Sequence, residues 1–135
     1  MTLALLTSAL LSGAACGESV LLPEDGEPMV QVLAPTATAG SMISVRLGNS
    51  TRTDWAYNLC STARLEIRLN NRWIASPEPL LVCAAVIYKL DPGKTVESSV
   101  YVPLGYEPGT YRVKVTFYRD IGDPVSVVSG PFTVE

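Results

Sequence analysis

Pro108-Gly109-Thr110-Tyr111-Arg112-Val113-Lys114-Val115-Thr116-Phe117 decides the fold of this chain. After a Pro-Gly turn, Tyr111, Val113, Val115 and Phe117 alternate with Arg112, Lys114 and Thr116. Successive side chains of a strand point to opposite faces, so this run puts one apolar face inward and one wet face outward. The same period recurs upstream, in Ile43-Ser44-Val45-Arg46-Leu47 and in Arg64-Leu65-Glu66-Ile67-Arg68-Leu69. From Met29 onward no stretch keeps a helical period for three turns.

Turn formers punctuate these runs at Ala39-Gly40, Gly48-Asn49-Ser50, Asn70-Asn71, Ser76-Pro77, Asp91-Pro92-Gly93, Glu107-Pro108-Gly109 and Gly122-Asp123-Pro124. They predict roughly eight strands, over 29–34, 41–48, 54–60, 63–70, 80–89, 94–103, 110–119 and 125–134. The expectation is an all-β, antiparallel sandwich of about 7–8 strands, occupying residues 28–135 as one domain.

The pattern resembles a bacterial immunoglobulin-like domain. The residues that carry the resemblance are Val45-Arg46-Leu47-Gly48-Asn49, Leu65-Glu66 followed by Trp73, Leu90-Asp91-Pro92-Gly93-Lys94, the Pro108–Val113 run, and Gly130-Pro131-Phe132-Thr133-Val134. Tyr111 is similar to a tyrosine corner, whose phenol bonds a backbone group a few residues upstream. Trp73 is expected to pack across one end of the core, with an exposed binding platform as the alternative.

The N-terminal stretch is different in kind. Residues 1–16, MTLALLTSALLSGAAC, carry no charge and are too short for the ~20 apolar residues that span a bilayer. They resemble a bacterial lipoprotein signal peptide of residues 1–15. In that family the cysteine becomes the first mature residue and carries acyl chains, a role that falls to Cys16. Plain cleavage and secretion, or an uncleaved apolar tail, are the other readings. Residues 16–27 follow as a lipid-anchored tether, with Glu18, Glu24, Asp25 and Glu27 and no base. This resemblance implies a protein of the cell envelope, held by lipid on the non-cytoplasmic side of its membrane. With Cys16 so assigned, Cys60 and Cys83 are left as an even pair, expected to form a disulfide outside the reducing cytosol. Antibody domains bridge other strands, so the pair is expected to staple a mid-chain excursion.

Composition narrows the chemistry. The chain has no histidine, which removes Ser-His and Cys-His nucleophilic pairs, most zinc and copper sites and the usual neutral-pH base. Neither a catalytic set nor a metal or cofactor site follows, and the expectation is a non-enzyme. The net charge of −3 and the scattered basic residues leave no polybasic patch for nucleic acid. Glu66, Glu97, Glu107, Asp54 and Asp91 are expected to be solvated. Asp120 and Asp123 flank a hairpin tip where turn formers belong.

Two places are candidates for binding. One is the outward face of the penultimate strand, Arg112, Lys114 and Tyr118, with Tyr101 on a neighbouring strand, suited to an anionic glycan or a protein edge. The other is the loop 50–57, with Trp55 and Tyr57. Strand alternation sends these two the same way, so a place in the core is the competing reading. The function expected is a non-enzymatic exported lipoprotein whose immunoglobulin-like domain serves as a structural or protein-interaction module. The alternative is a proteinase inhibitor, because the order of elements is loosely similar to a bacterial family of β-sandwich proteinase inhibitors. In that case residues 72–82, with Pro77 and Pro79, would be the inhibitory loop.

Overall fold

The computed structural model describes Leu22, residues 26–119 and residues 123–135. The stretch read as a signal peptide and Cys16, the expected lipidation site, lie outside the described residues, as do most of the expected tether and Asp120.

Eleven strands and one helical turn are found among the described residues. They are β1 (Met29–Val32), β2 (Thr36–Ala37), β3 (Met42–Gly48), β4 (Trp55–Tyr57), α1 (Leu59–Thr62), β5 (Ala63–Leu69), β6 (Arg72–Ala75), β7 (Tyr88–Leu90), β8 (Thr95–Tyr101), β9 (Gly109–Arg119), β10 (Asp123–Val128) and β11 (Phe132–Val134). They form two sheets. The smaller has the order β1-β3-β8, antiparallel throughout. The larger is organised on β9, which pairs with β10 and β11 on one side and with β4 and β5 on the other. β6 and β7 make its outer edge, against β5 and β4 respectively. β2 leaves the smaller sheet after Pro35 and pairs in parallel with β11, so the first strand is shared between the layers. This is the expected all-β antiparallel sandwich.

The alternation that predicted the strands also fills the space between them. Ile43, Val45 and Leu47 of β3 and Val100 of β8 face Leu65 of β5 and Tyr111, Val113, Val115 and Phe117 of β9, all buried. Burial of such side chains is worth about 1.5–3 kcal/mol each, the dominant favourable contribution to folding.

Where the strands differ from expectation, local chemistry is the reason. The strand expected over 54–60 stops at Tyr57, because Asn58 caps a helical turn: its side chain accepts from the Cys60 amide at 3.1 Å. The strand expected over 125–134 is broken by a bulge at Ser129, whose hydroxyl accepts from the Val113 amide at 2.9 Å while its own amide donates to the Val113 carbonyl at 2.8 Å. Most of the strand expected over 80–89 is not a strand, and only Tyr88–Leu90 pairs. The Asn70-Asn71 turn does form, with both residues at positive φ (50° and 61°), as a two-residue hairpin loop requires.

A buried polar knot ties one end of the sandwich together. The Asn49 side chain donates to the carbonyls of Thr53 (2.7 Å) and Leu90 (2.9 Å) and accepts from the Thr51 amide and hydroxyl. The Thr51 hydroxyl in turn accepts from the indole N–H of Trp55 at 3.1 Å. Replacing Thr51 with Val leaves the buried indole donor unpaired. The variant is expected to lose about 2 kcal/mol of stability, read as a lower urea midpoint at unchanged m-value.

Tyr111 makes the corner bond: its phenol donates to the Glu107 carbonyl at 2.7 Å, and its ring stacks on Tyr106 at 5.8 Å. Burial, helped by the Glu107 carboxylate, pushes the Tyr111 phenol above its ordinary 10. Tyr57 and Tyr106 are raised in the same direction, again mainly by burial. A phenol that resists ionisation when folded contributes stability below the unfolded value and loses it as pH climbs through the folded one. Stability is therefore expected to fall above about pH 10, and less steeply in Tyr111→Phe, when chemical unfolding is followed across alkaline pH.

Candidate functional site

The edge of the larger sheet carries the least conventional part of the molecule. Between β6 and β7, residues 76–87 run as a strap without regular structure. It is rooted by the Ser76 amide, which donates to the Leu65 carbonyl at 3.0 Å, and by the Tyr106 phenol, which donates to the Pro77 carbonyl. Midway it is stapled to α1 by the Cys60–Cys83 disulfide, with Cα atoms 5.6 Å apart. The Asn58 amide adds two bonds, to the carbonyls of Ala84 (2.9 Å) and Val86 (2.8 Å). One asparagine thus caps the helical turn and holds the strap.

The strap is apolar and exposed at once. Leu80 and Val82 are fully exposed (104% and 102%) and Ile87 is 76% exposed. The intervening Leu81 and Cys83 turn the other way, to a cavity and to the disulfide. Isolated apolar residues on a surface are ordinary, and a run of them on one anchored segment is not.

Two cavities flank the strap. The larger, an open groove of about 1020 Å³, lies over Ala56 between Tyr118 and Lys89, with Val86 and Ile87 in its wall. The smaller, about 340 Å³, reaches between the sheets, and Leu81 of the strap is in its lining.

The structure redistributes the residues singled out in the sequence. Trp55 and Tyr57 are core residues, 1% and 7% exposed, as the competing reading has it, and both also line the large groove together with Tyr118. Arg112, Lys114 and Tyr118 share the outer face of β9 but make no common site. Arg112 is held by Glu66 (Nε to Oε1, 2.8 Å) and lies over the Trp73 ring at 4.5 Å. Lys114 stands opposite Arg64 on β5, and Tyr118 stands opposite Ala56 in the large groove. Tyr101 belongs to β8 in the other sheet. Glu66 is not solvated: it is buried as the partner of Arg112. Trp73 is half-buried on the outer face, with Arg68 at 5.9 Å on its ring as well, and is not a core residue. Glu97 pairs with Arg46 across the smaller sheet at 2.7 Å. The strand expected over 80–89 hid the second half of the strap, whereas its first half falls in the 72–82 stretch that Pro77 and Pro79 marked as a possible loop.

No protein-family model matches the chain, and no curated protein matches it in sequence. Among solved structures it is similar to the CsuC–CsuE chaperone–tip adhesion subunit pre-assembly complex from the archaic chaperone-usher Csu pili of Acinetobacter baumannii (12% identity, TM-score 0.49, covering 81% of this chain). This chain spans about half of that one, 51%. It is also similar to the ASH/PapD-like domain 7 of human CEP192 (15% identity, TM-score 0.42, 99% of this chain and 93% of that one). A third is a Niemann-Pick type C2 protein from Japanese carpenter ant (12%, TM-score 0.44, 82% and 90%). The chain's own strand pairing makes it an antiparallel β-sandwich; at such identities no residue or activity transfers.

The staple makes a direct prediction. Closing a loop with a sequence separation of 23 is worth about 3 kcal/mol in the chain-entropy model. Cys60→Ala/Cys83→Ala is expected to lose stability of that order. Hydrogen exchange should accelerate across 79–87 while β9 keeps its protection.

Proposed function

We propose that this protein is a non-enzymatic interaction module of the cell envelope, exported, anchored through lipid on Cys16, and engaging a protein partner through the strap. The observation that carries the reading is the full exposure of Leu80 and Val82 on a segment fixed at Ser76 and Cys83. Apolar side chains held out by a rigid backbone lose little conformational entropy on association, which favours binding. The disulfide supports an oxidising address, and the charge-free run ending at Cys16 supports the anchor.

A second reading has its own support. Residues 76–82, with Pro77 and Pro79, form an exposed projection anchored at both ends, the form in which a proteinase inhibitor presents its loop. In this reading Leu80 or Val82 would enter the specificity pocket of the protease.

A photo-crosslinking residue at position 82, in the full chain expressed in a bacterial host, tests the module. The expected result is one discrete adduct at 82 and none at position 94 in the distant Asp91–Lys94 turn, on a protein whose intact mass shows loss of residues 1–15 and a lipid increment on Cys16. An unprocessed chain, or the same adducts from both positions, would overturn it. Slowed turnover in a protease panel, abolished by Pro77→Gly/Pro79→Gly, would move the assignment to the inhibitor.

A further inference from the structure

The smaller cavity faces away from the partner-bearing side chains of the strap. Its lining includes the core-facing Ala63 and Leu65 of β5, Leu59 of α1 and Val100 of β8, and it is walled by Leu81 of the strap. These side chains are apolar, and all but Leu81 are buried. The cavity is therefore an extension of the core that opens at the strap. At about 340 Å³ it stands at the lower end of the range for small-molecule sites.

One charged residue lines it, Arg64. Its Nε donates to Glu78 at 2.9 Å and its Nη1 to the Ala63 carbonyl at 2.8 Å, while Nη2 takes part in neither bond. The Glu78 carboxylate is largely exposed (71%), so that pair is solvent-facing and weak. In it the guanidinium already donates to one carboxylate.

We propose that this cavity binds a single-chain fatty carboxylate, with its aliphatic tail against Leu59, Leu65, Leu81 and Val100 and its head group on Arg64. The apolar lining selects the tail, and the one cation at the lining selects the charge of the head. The volume holds one chain, which excludes a diacyl lipid. Nη2, engaged in neither bond, leaves the guanidinium a donor for one carboxylate oxygen. This assignment is independent of the strap's outer side chains and stands or falls separately from the partner proposed above.

The test uses the full chain and a dansyl-labelled undecanoic acid, whose emission rises and shifts to the blue in an apolar site. The expected result is one probe bound per chain and displaced by dodecanoate. Arg64→Gln should weaken dodecanoate about tenfold, the worth of one charge-assisted contact, and leave dodecanol unchanged. Leu81→Glu, at a strap position that is 42% exposed, should abolish probe binding with an unaltered circular dichroism spectrum. Because residues 1–15 are themselves apolar, a probe signal that survives Leu81→Glu overturns the cavity as its site. Equal displacement by dodecanol and dodecanoate, or displacement by dodecyl phosphate alone, overturns the carboxylate assignment.

Discussion

The continuity of β9 is the constraint on which the rest of the structure depends. Gly109–Arg119 runs unbroken through the larger sheet, while the strand path on each of its sides is interrupted. From Ala56 to Ala63 the chain uses seven residues to cover the three from Tyr118 to Val115 on β9, so four residues must leave the ladder. They do so as the helical turn α1. On the other flank, Val128 to Phe132 covers Lys114 to Tyr111 with one residue too many, and Ser129 absorbs it by lending its hydroxyl as a ladder acceptor. The difference between a four-residue and a one-residue excess is the difference between a projecting turn and a quiet bulge.

The excess propagates outward. Across the same gap, the outer edge runs from Ala75, opposite Glu66, to Tyr88, opposite Tyr57. It has more residues than the path it follows, and the surplus is the strap. Two adjacent excursions side by side have no ladder to hold them, and the chain supplies three substitutes. The disulfide joins their middles, Asn58 bonds the strap carbonyls, and the Ser76 amide and Tyr106 phenol fix the root. Pro77 and Pro79 remove two amides from what would otherwise be an open sheet edge, a known defence against pairing with other chains. An apolar segment so protected is exposed by construction and not by failure to fold.

What the sequence disclosed, and what it hid, follows the same division. Period-two alternation located β3, β5, β8 and β9 nearly to the residue, since each is half-buried and its wet face is visible in the letters. Counting cysteines found the Cys60–Cys83 pair. The errors fall where hydrophobicity and burial part company. Leu80-Leu81-Val82 has the composition of a core strand and lies at the surface. Trp55 and Tyr57 sit in a polar neighbourhood of the sequence and lie in the core, the Trp55 indole satisfied by Thr51 four residues before it. Glu66 is a charge at a nominally wet position, yet β6 folds back over β5 and buries it against Arg112, with Trp73 covering the pair. Composition cannot register a neighbour that arrives through tertiary structure. Nor does the sequence announce a cavity, because the residues of the smaller one come from α1, β5, β8 and the strap and converge only in the fold.

One backbone separates the two surfaces proposed to bind. Along Leu80-Leu81-Val82-Cys83 the side chains alternate, outward for the first and third and inward for the second and fourth. Occupants on the two sides of such a segment are linked: whatever one contributes to ordering the strap, the other need not supply again. The sign of that coupling is set by the fixed ends. With Ser76 and Cys83 tethered, an aliphatic chain packed under Leu81 would add contacts to a segment already held at both ends and leave Leu80 and Val82 in place. Linkage of this kind favours joint occupancy, and by reciprocity a partner gripping Leu80 and Val82 would tighten the cavity on its ligand.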